Sequence, residues 1–154
     1  MAECAARELH EESGLRVPPE ALAARGRLCF DMCGTSGMLD KATGRLATRL
    51  LVHVYSAALA DAAAGSEIVE SDEMRPHWFD FDAAPLEQMW ADDRHWLPTL
   101  LGCQDVVGAF VFEDQATIAA HEVRALPRGE YEGAKHDFAL LDAPPPPGLS
   151  PPAA

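Results

Sequence analysis

The stretch that decides the fold is Arg7-Glu8-Leu9-His10-Glu11-Glu12-Ser13-Gly14-Leu15, RELHEESGL. Residues 2 to about 13 are dominated by Ala, Glu, Leu and Arg, which favour a helix, and Gly14 stands where a left-handed cap would end it. On that helix Glu8, Glu11 and Glu12 fall at i, i+3 and i+4 and project from one face. A solvated acidic face explains most Glu-rich helices. Like charges at this spacing repel, however, and an ordinary surface would intersperse Lys, whereas this helix carries Arg7 alone as a strong base. Hard oxygen ligands clustered on a rigid element are what Mg²⁺ needs when it must also hold phosphates.

Composition limits the alternatives. The 154 residues suffice for one domain with a sizeable core, and 48% apolar content makes the chain globular rather than disordered. Twenty-five acidic against 12 basic residues leave a net charge of −13 and no basic stripe, which argues against a nucleic-acid polymer as partner. A nucleotide carried with a divalent cation remains compatible with that charge. Cys4, Cys29, Cys33 and Cys103 form no CxxC pair and read as reduced thiols of an intracellular protein. If Cys29 to Cys33 is one strand, both thiols share a face, and a redox pair is the alternative. No run is long enough to span a membrane, and no basic-then-apolar signal opens the chain.

Beyond the helix, VPPEALAARG reads as a turn-rich connector. RLCFDMC alternates, with Leu28, Phe30 and Met32 on one face of a strand. A polar, Gly-rich loop follows, and LATRLLVHVYSAAL returns as a second strand, giving a long hairpin. EIVESDEMRPHWFDF reads as two short strands around an acidic turn. PLEQMWADDRHWLPTLL reads as a helix, or as two helical turns meeting near Asp92. DVVGAFVFED is a strand with Gly108, Phe110 and Phe112 on one side. TIAAHEVRAL fits strand or helix equally. Residues 143–154 form a Pro-rich tail that is expected to be disordered, with an SH3-type groove as the alternative partner.

RELHEESGL resembles the second half of the Nudix box, a pattern of Gly and Glu followed by Arg-Glu-apolar-x-Glu-Glu-x-Gly-apolar. Arg7, Glu8, Leu9, Glu11, Glu12, Gly14 and Leu15 match each fixed position of that half. ESDEMRPHWF (Glu70 to Phe79), MWADDRHWLPTLL (Met89 to Leu101) and GAFVFED look like the branch that hydrolyses oxidised purine nucleoside triphosphates. The resemblance runs to about Leu126, apart from the loop from Gly34 to Arg45. It implies an α/β/α sandwich with a mixed sheet over residues 1–142. By the family spacing the first Gly and Glu of the box fall before Met1, so the chain is expected to lack the opening strands of that domain, and any organellar address with them.

The resemblance also implies roles. Glu8, Glu11, Glu12 and Glu73 would ligate Mg²⁺, with Mn²⁺ a possible substitute. Glu12, Glu11 or Glu73 would help to activate water, and Arg7 would orient a box glutamate. Without the resemblance, Arg7 is a surface ion pair of low value and Glu73 an exposed turn acid. Met74 would pack against the purine, or else fill core. Asp92 and Asp93 would read the base edge: two adjacent carboxylates cannot both ionise cheaply, so one proton affinity should rise, giving one donor and one acceptor. The plainer role of the pair is helix capping. Trp90 would stack on the base, and Trp96, Phe30, Met32 and Phe112 would wall the pocket, roles that overlap with core packing. The implied reaction is hydrolysis of a small nucleoside triphosphate to monophosphate and pyrophosphate by a monomeric cytoplasmic enzyme that touches neither nucleic-acid polymer nor membrane. The alternatives are a non-catalytic remnant of the family, or a hydrolase of another nucleoside diphosphate derivative.

Overall fold

The computed structural model describes residues 1–32, 38–39, 46–47, 49–72, 74–114, 116–131 and 138–139. Helix α1 spans Ala2–Ser13 and ends at Gly14, whose φ of 78° is the left-handed cap expected from sequence. The cap N–H donates to the His10 carbonyl at 2.9 Å. Glycine is required here twice over. Besides the backbone angle, a Cβ would stand 2.6 Å from the Glu67 carbonyl oxygen and from Val69 Cγ2.

Strands β1 (Ala23–Met32), β4 (Arg49–Ser56), β5 (Asp105–Phe112) and β6 (Ile118–Leu126) form a mixed sheet in the order β4-β1-β5-β6. β1 pairs antiparallel with β4, with Leu28 opposite Val52. This is the long hairpin read from the alternating apolar residues. Between its arms the short β2 (Met38–Leu39) and β3 (Leu46–Ala47) pair with each other. β1 runs parallel to β5, so the chain must cross over between them, and helix α2 (Asp93–Leu101) lies on that crossover. β6 then returns antiparallel to β5, which settles the ambiguity of TIAAHEVRAL in favour of strand. Asp114 tightens the β5–β6 turn by accepting the N–H groups of Ala116 and Thr117 at 2.8 and 2.7 Å.

β5 is buried along its whole length because a central strand is covered on both faces. One face gathers Leu28, Met32, Phe110 and Phe112, with Phe30, Val54, Ala91 and Trp96 packed against them. The other gathers Val107, Ala109, Tyr131 and Phe138. Leu28 and Phe110 are 1% and 0% exposed, and such side chains contribute about 1.5–3 kcal/mol each.

Three expectations need correction or refinement. The connector VPPEALAARG ends at Leu22, because β1 already begins at Ala23. An irregularity between Ala24 and Gly26 lets the strand accommodate Arg25, which is buried against Asp105. The segment from Glu67 to Phe81 forms no strand among the described residues. Its backbone bonds go elsewhere: Val69 N–H donates to the Ser13 carbonyl and Ser71 N–H to the Met74 carbonyl, both at 2.9 Å. Without a ladder partner, β propensity alone makes no strand. Finally, PLEQMWADDRHWLPTLL is two helical pieces, a 3₁₀ turn at Leu86–Gln88 and α2 from Asp93, as one of its two readings has it. The Pro-rich tail lies outside the described residues.

Candidate functional site

α1 contributes Ala5, Glu8, Leu9 and Glu12 to a groove of about 660 Å³ whose other wall includes His53 and Tyr55 of β4, with Trp78 and Phe81. Glu8 and Glu12, one helical turn apart, therefore share a cavity. Glu11 does not line it, and instead accepts a hydrogen bond from Arg7 at 2.6 Å. Arg7 also ion-pairs with Glu8. The Glu11 bond, then a contact to Cys4 Sγ at 3.8 Å and the charges of Glu11 and Glu8, raise the guanidinium further above its ordinary range. Arg7 thus holds two box carboxylates in place, with an exposed geometry that stabilises little by itself.

Among the described residues no group of three His, Cys, Asp or Glu side chains converges on one point. Glu73 lies outside the described residues. The donor chemistry nevertheless suits a divalent cation. Glu8 and Glu12 offer hard oxygens into a common groove, and Mg²⁺ characteristically takes one or two carboxylates and completes its shell with water and substrate phosphates.

The second constellation sits where the crossover enters α2. Asp92 and Asp93 are 7% and 8% exposed. Capping does not account for Asp92: it occupies the N-cap position of α2, yet its side chain makes no cap bond. Instead, Asp92 Oδ2 accepts the indole N–H of Trp96 at 3.0 Å. Asp93 Oδ2 accepts the backbone N–H of Trp90, also at 3.0 Å. Burial, and then the neighbouring Asp92 charge, push the Asp93 carboxyl up against the opposing pull of the Trp90 N–H. One acid of the pair is thereby biased toward carrying a proton. Asp93, but not Asp92, lines a cavity of about 510 Å³ with Gln88, Met89, Trp90, Ala91, Arg94 and Ala116. Trp90 is 67% exposed and available to stack.

Beneath this pair, Trp96, Phe30, Met32 and Phe112 all belong to the cluster around Phe110, with the Phe30 and Phe110 rings stacked at 5.5 Å. Met74 lines neither cavity and is half exposed, its N–H held by Ser71 Oγ at 3.0 Å. The two cavities share no residue and lie toward opposite faces of the sheet. Val54 packs on the Trp96 side, while its neighbour His53 points the other way, to Tyr131 at 3.2 Å.

His53 and Tyr55 are groove residues that the sequence reading missed. Their i, i+2 spacing on a strand was the available signal. It also missed the packing of His95 on His121, ring centroids 4.0 Å apart, over Phe110. Burial, and then the charges of His121 and Arg94, hold the His95 imidazole below its ordinary value against the opposing Asp92. Cys29 is buried and its thiol is pushed up by desolvation, which disfavours the reactive thiolate. Its proposed redox mate Cys33 lies outside the described residues.

Fold and site together define a small α/β domain with a carboxylate-bearing groove under one face of its sheet and an aromatic-rimmed acidic cavity over the other. The NUDIX domain model matches residues 1–100, and the chain belongs to the Nudix family, whose members generally use divalent metal cations. It is 38% identical over 120 residues to a mouse protein named oxidized purine nucleoside triphosphate hydrolase, covering 78% of this chain and 66% of that protein. A zebrafish protein of the same name is 39% identical over 121 residues, covering 79% and 67%. The chain thus spans about two thirds of the length of these relatives. A crystal structure of the mutator MutT protein from Bacillus halodurans superposes with a TM-score of 0.54 at 19% identity, covering 77% of this chain and 69% of that one, and shares the fold. No helix among the described residues is long and apolar enough to cross a membrane.

Proposed function

We propose that this chain hydrolyses oxidised purine nucleoside triphosphates to the monophosphate and pyrophosphate in a Mg²⁺-dependent reaction. The observation that carries the reading is the Asp92–Asp93 pair: two buried, adjacent carboxyls with different donors, one biased toward protonation, beside an exposed tryptophan. A protonated acid donates and an ionised one accepts, so the pair can match both kinds of group on a purine edge. The mouse and zebrafish relatives are named for the same substrate class.

Glu8 and Glu12 would hold Mg²⁺ in the α1 groove. When bound, the cation supplies charge neutralisation at the phosphates and a lower proton affinity for the attacking water. Arg7 keeps Glu8 and Glu11 oriented. Glu12, which has no such partner in the described contacts, is the box carboxylate best placed to take a proton from water. Trp90 would stack on the base while Asp92 and Asp93 fix its identity. The proposed substrate is a free nucleoside triphosphate rather than a nucleic-acid polymer, in keeping with the net charge of −13. A monomer acting inside the cell fits this reading.

The test is turnover of 8-oxo-dGTP, 2-oxo-dATP and unmodified dGTP with and without Mg²⁺, with products separated chromatographically. Release of pyrophosphate and monophosphate, faster for oxidised bases and abolished by chelation, is expected. Equal rates on oxidised and normal purines would defeat the base-recognition role of the acidic pair.

A further inference from the structure

Asp92 and Asp93 are adjacent and almost equally buried, at 7% and 8% exposure, yet they meet different donors. Asp93 takes a backbone N–H, that of Trp90. Asp92 takes a side-chain N–H, that of Trp96, one turn further along α2. An indole N–H donates and cannot accept, and it bonds an ionised carboxylate more strongly than a neutral acid. The Trp96 ring is not free to turn away, because it is packed against the cluster of Leu28, Met32, Phe110 and Phe112. A merely space-filling wall residue needs no N–H at this point, and Phe or Leu would serve.

We propose, resting on the oxidised-purine reading above, that Trp96 is a positioning residue that fixes Asp92 as the hydrogen-bond acceptor of the pair and leaves the donor role to Asp93. It acts through Asp92 without needing to touch the nucleotide. The upward push on the Asp93 carboxyl, from burial first and the Asp92 charge second, has the direction this division requires. The consequence is specificity. A base offering a hydrogen to Asp92 and an acceptor to Asp93 meets the pair as it stands. A base with the reverse pattern must first move the proton against the Trp96 bond. The core of the domain is thus wired to base choice through one indole nitrogen.

The test compares Trp96→Phe with replacement of Trp96 by 3-benzothienylalanine, which keeps the bicyclic ring and removes only the N–H. The ratio of kcat/KM for 8-oxo-dGTP over 2-oxo-dATP is followed across pH, in the wild-type and Asp92→Asn backgrounds. Loss of a hydrogen bond to a charged group corresponds to about a tenfold change in an equilibrium. The substrate ratio at neutral pH should therefore shift about tenfold toward the disfavoured base, and the acid limb of the profile should move to higher pH. Both substitutions at position 96 should act alike, and neither should shift the ratio further when Asp92 is already Asn. Additive effects in the Asp92→Asn background, or a normal ratio in the benzothienyl protein, would overturn the proposal.

A second measurement is independent of turnover. Trp78 and Trp90 are 72% and 67% exposed, so Trp96 should give the one exchange-protected indole N–H resonance of the three tryptophans. That resonance should move in the Asp92→Asn protein. If it stays unmoved, the bond assignment is wrong. If it moves but the wild-type chain hydrolyses no oxidised purine triphosphate, the proposal falls with the functional reading and not with its geometry.

Discussion

Replacing Asp105 by Asn should destabilise the protein by about 3–5 kcal/mol, the usual cost of removing one partner from a buried ion pair. Asp105 is 0% exposed at the start of β5, and Arg25 is 5% exposed at the irregular start of β1. The Arg25 Nε–H donates to Asp105 Oδ1 at 2.6 Å, and the other oxygen accepts the N–H groups of Gly129 and Tyr131 at 2.8 and 3.3 Å. The variant would leave a buried guanidinium whose remaining contacts are the Gln104 carbonyl at 3.0 Å and Ser56 Oγ at 3.5 Å. Asn retains a carbonyl for one donor, so the larger part of the loss is the uncompensated charge. Urea unfolding at neutral pH measures this directly as a lower midpoint at unchanged slope.

The same residue gives a pH signature. Burial opposes ionisation of Asp105, but Arg25 and the two backbone donors together outweigh it and hold the carboxyl below its usual value. A depressed carboxyl contributes fully above its unfolded value of about 3.9, and the contribution fades as pH falls through the native value. Wild type should therefore lose stability steeply below about pH 4, and Asp105→Asn should lose it less steeply there. A second variant separates charge from shape. Arg25→Met with Asp105→Leu should recover part of the loss, falling short because the Gly129 N–H loses its acceptor, at a cost of about 1–3 kcal/mol. A single-variant loss under about 1 kcal/mol, or an unchanged acid slope, would refute the account of Asp105 as the tie between β1, β5 and the Gly129–Tyr131 turn.

Glu12→Gln should cut Mg²⁺-dependent turnover by orders of magnitude while the unfolding free energy changes by less than about 0.5 kcal/mol, because Glu12 lines an open groove; steady-state rates in saturating Mg²⁺ decide it, and wild-type turnover would remove Glu12 from the catalytic set. Asp92→Asn should redistribute rates among oxidised purines more than it lowers cleavage as such, since an amide cannot switch between donor and acceptor by titrating; a uniform fall across several triphosphates would point to packing instead. His95, held low by burial and by His121 and Arg94 against Asp92, binds its proton more readily in the unfolded chain, so wild-type stability should decline as pH drops below the ordinary histidine value of about 6.5. His95→Phe should flatten that decline in thermal unfolding measured across pH, and an unaltered slope would exclude His95 as its source.

What the sequence made legible was local and periodic. α1 and its Gly14 cap follow from one contiguous stretch, and the β1–β4 hairpin follows from apolar alternation, so neither needs information from elsewhere in the chain. Arg25 shows the limit. In sequence it is a charge in a Pro- and Ala-rich connector, and its meaning comes from Asp105, 80 positions later. The segment Glu67–Phe81 shows the converse: its Val and Phe residues promise strands, but a strand is a property of a pair. Asp92 and Asp93 were visible as a motif beside Trp90. Which of them bonds the Trp96 indole was not, because that rests on where the ring packs against Leu28, Met32, Phe110 and Phe112, residues of β1 and β5.

β5 ties the cavities on the two faces of the sheet to one strand. Its alternate side chains pack on different faces: Phe110 and Phe112 belong to the cluster that holds Trp96, the partner of Asp92, while Val107 and Ala109 pack with Tyr131. Tyr131 is in turn bonded to His53, which walls the groove of Glu8 and Glu12. The parallel pairing of β1 with β5 fixes the two faces in register, with Leu28 opposite Gly108 and Phe30 opposite Phe110. A bulkier residue at position 108 would be pressed at once by Leu28 Cδ2 at 3.1 Å and by the Phe110 ring at 3.2 Å. That single position thus bears on the packing beneath Trp96, while its neighbours Val107 and Ala109 carry the other face. The acidic pair and the carboxylate groove are distant along the chain and on opposite faces, yet each is two contacts from the same strand.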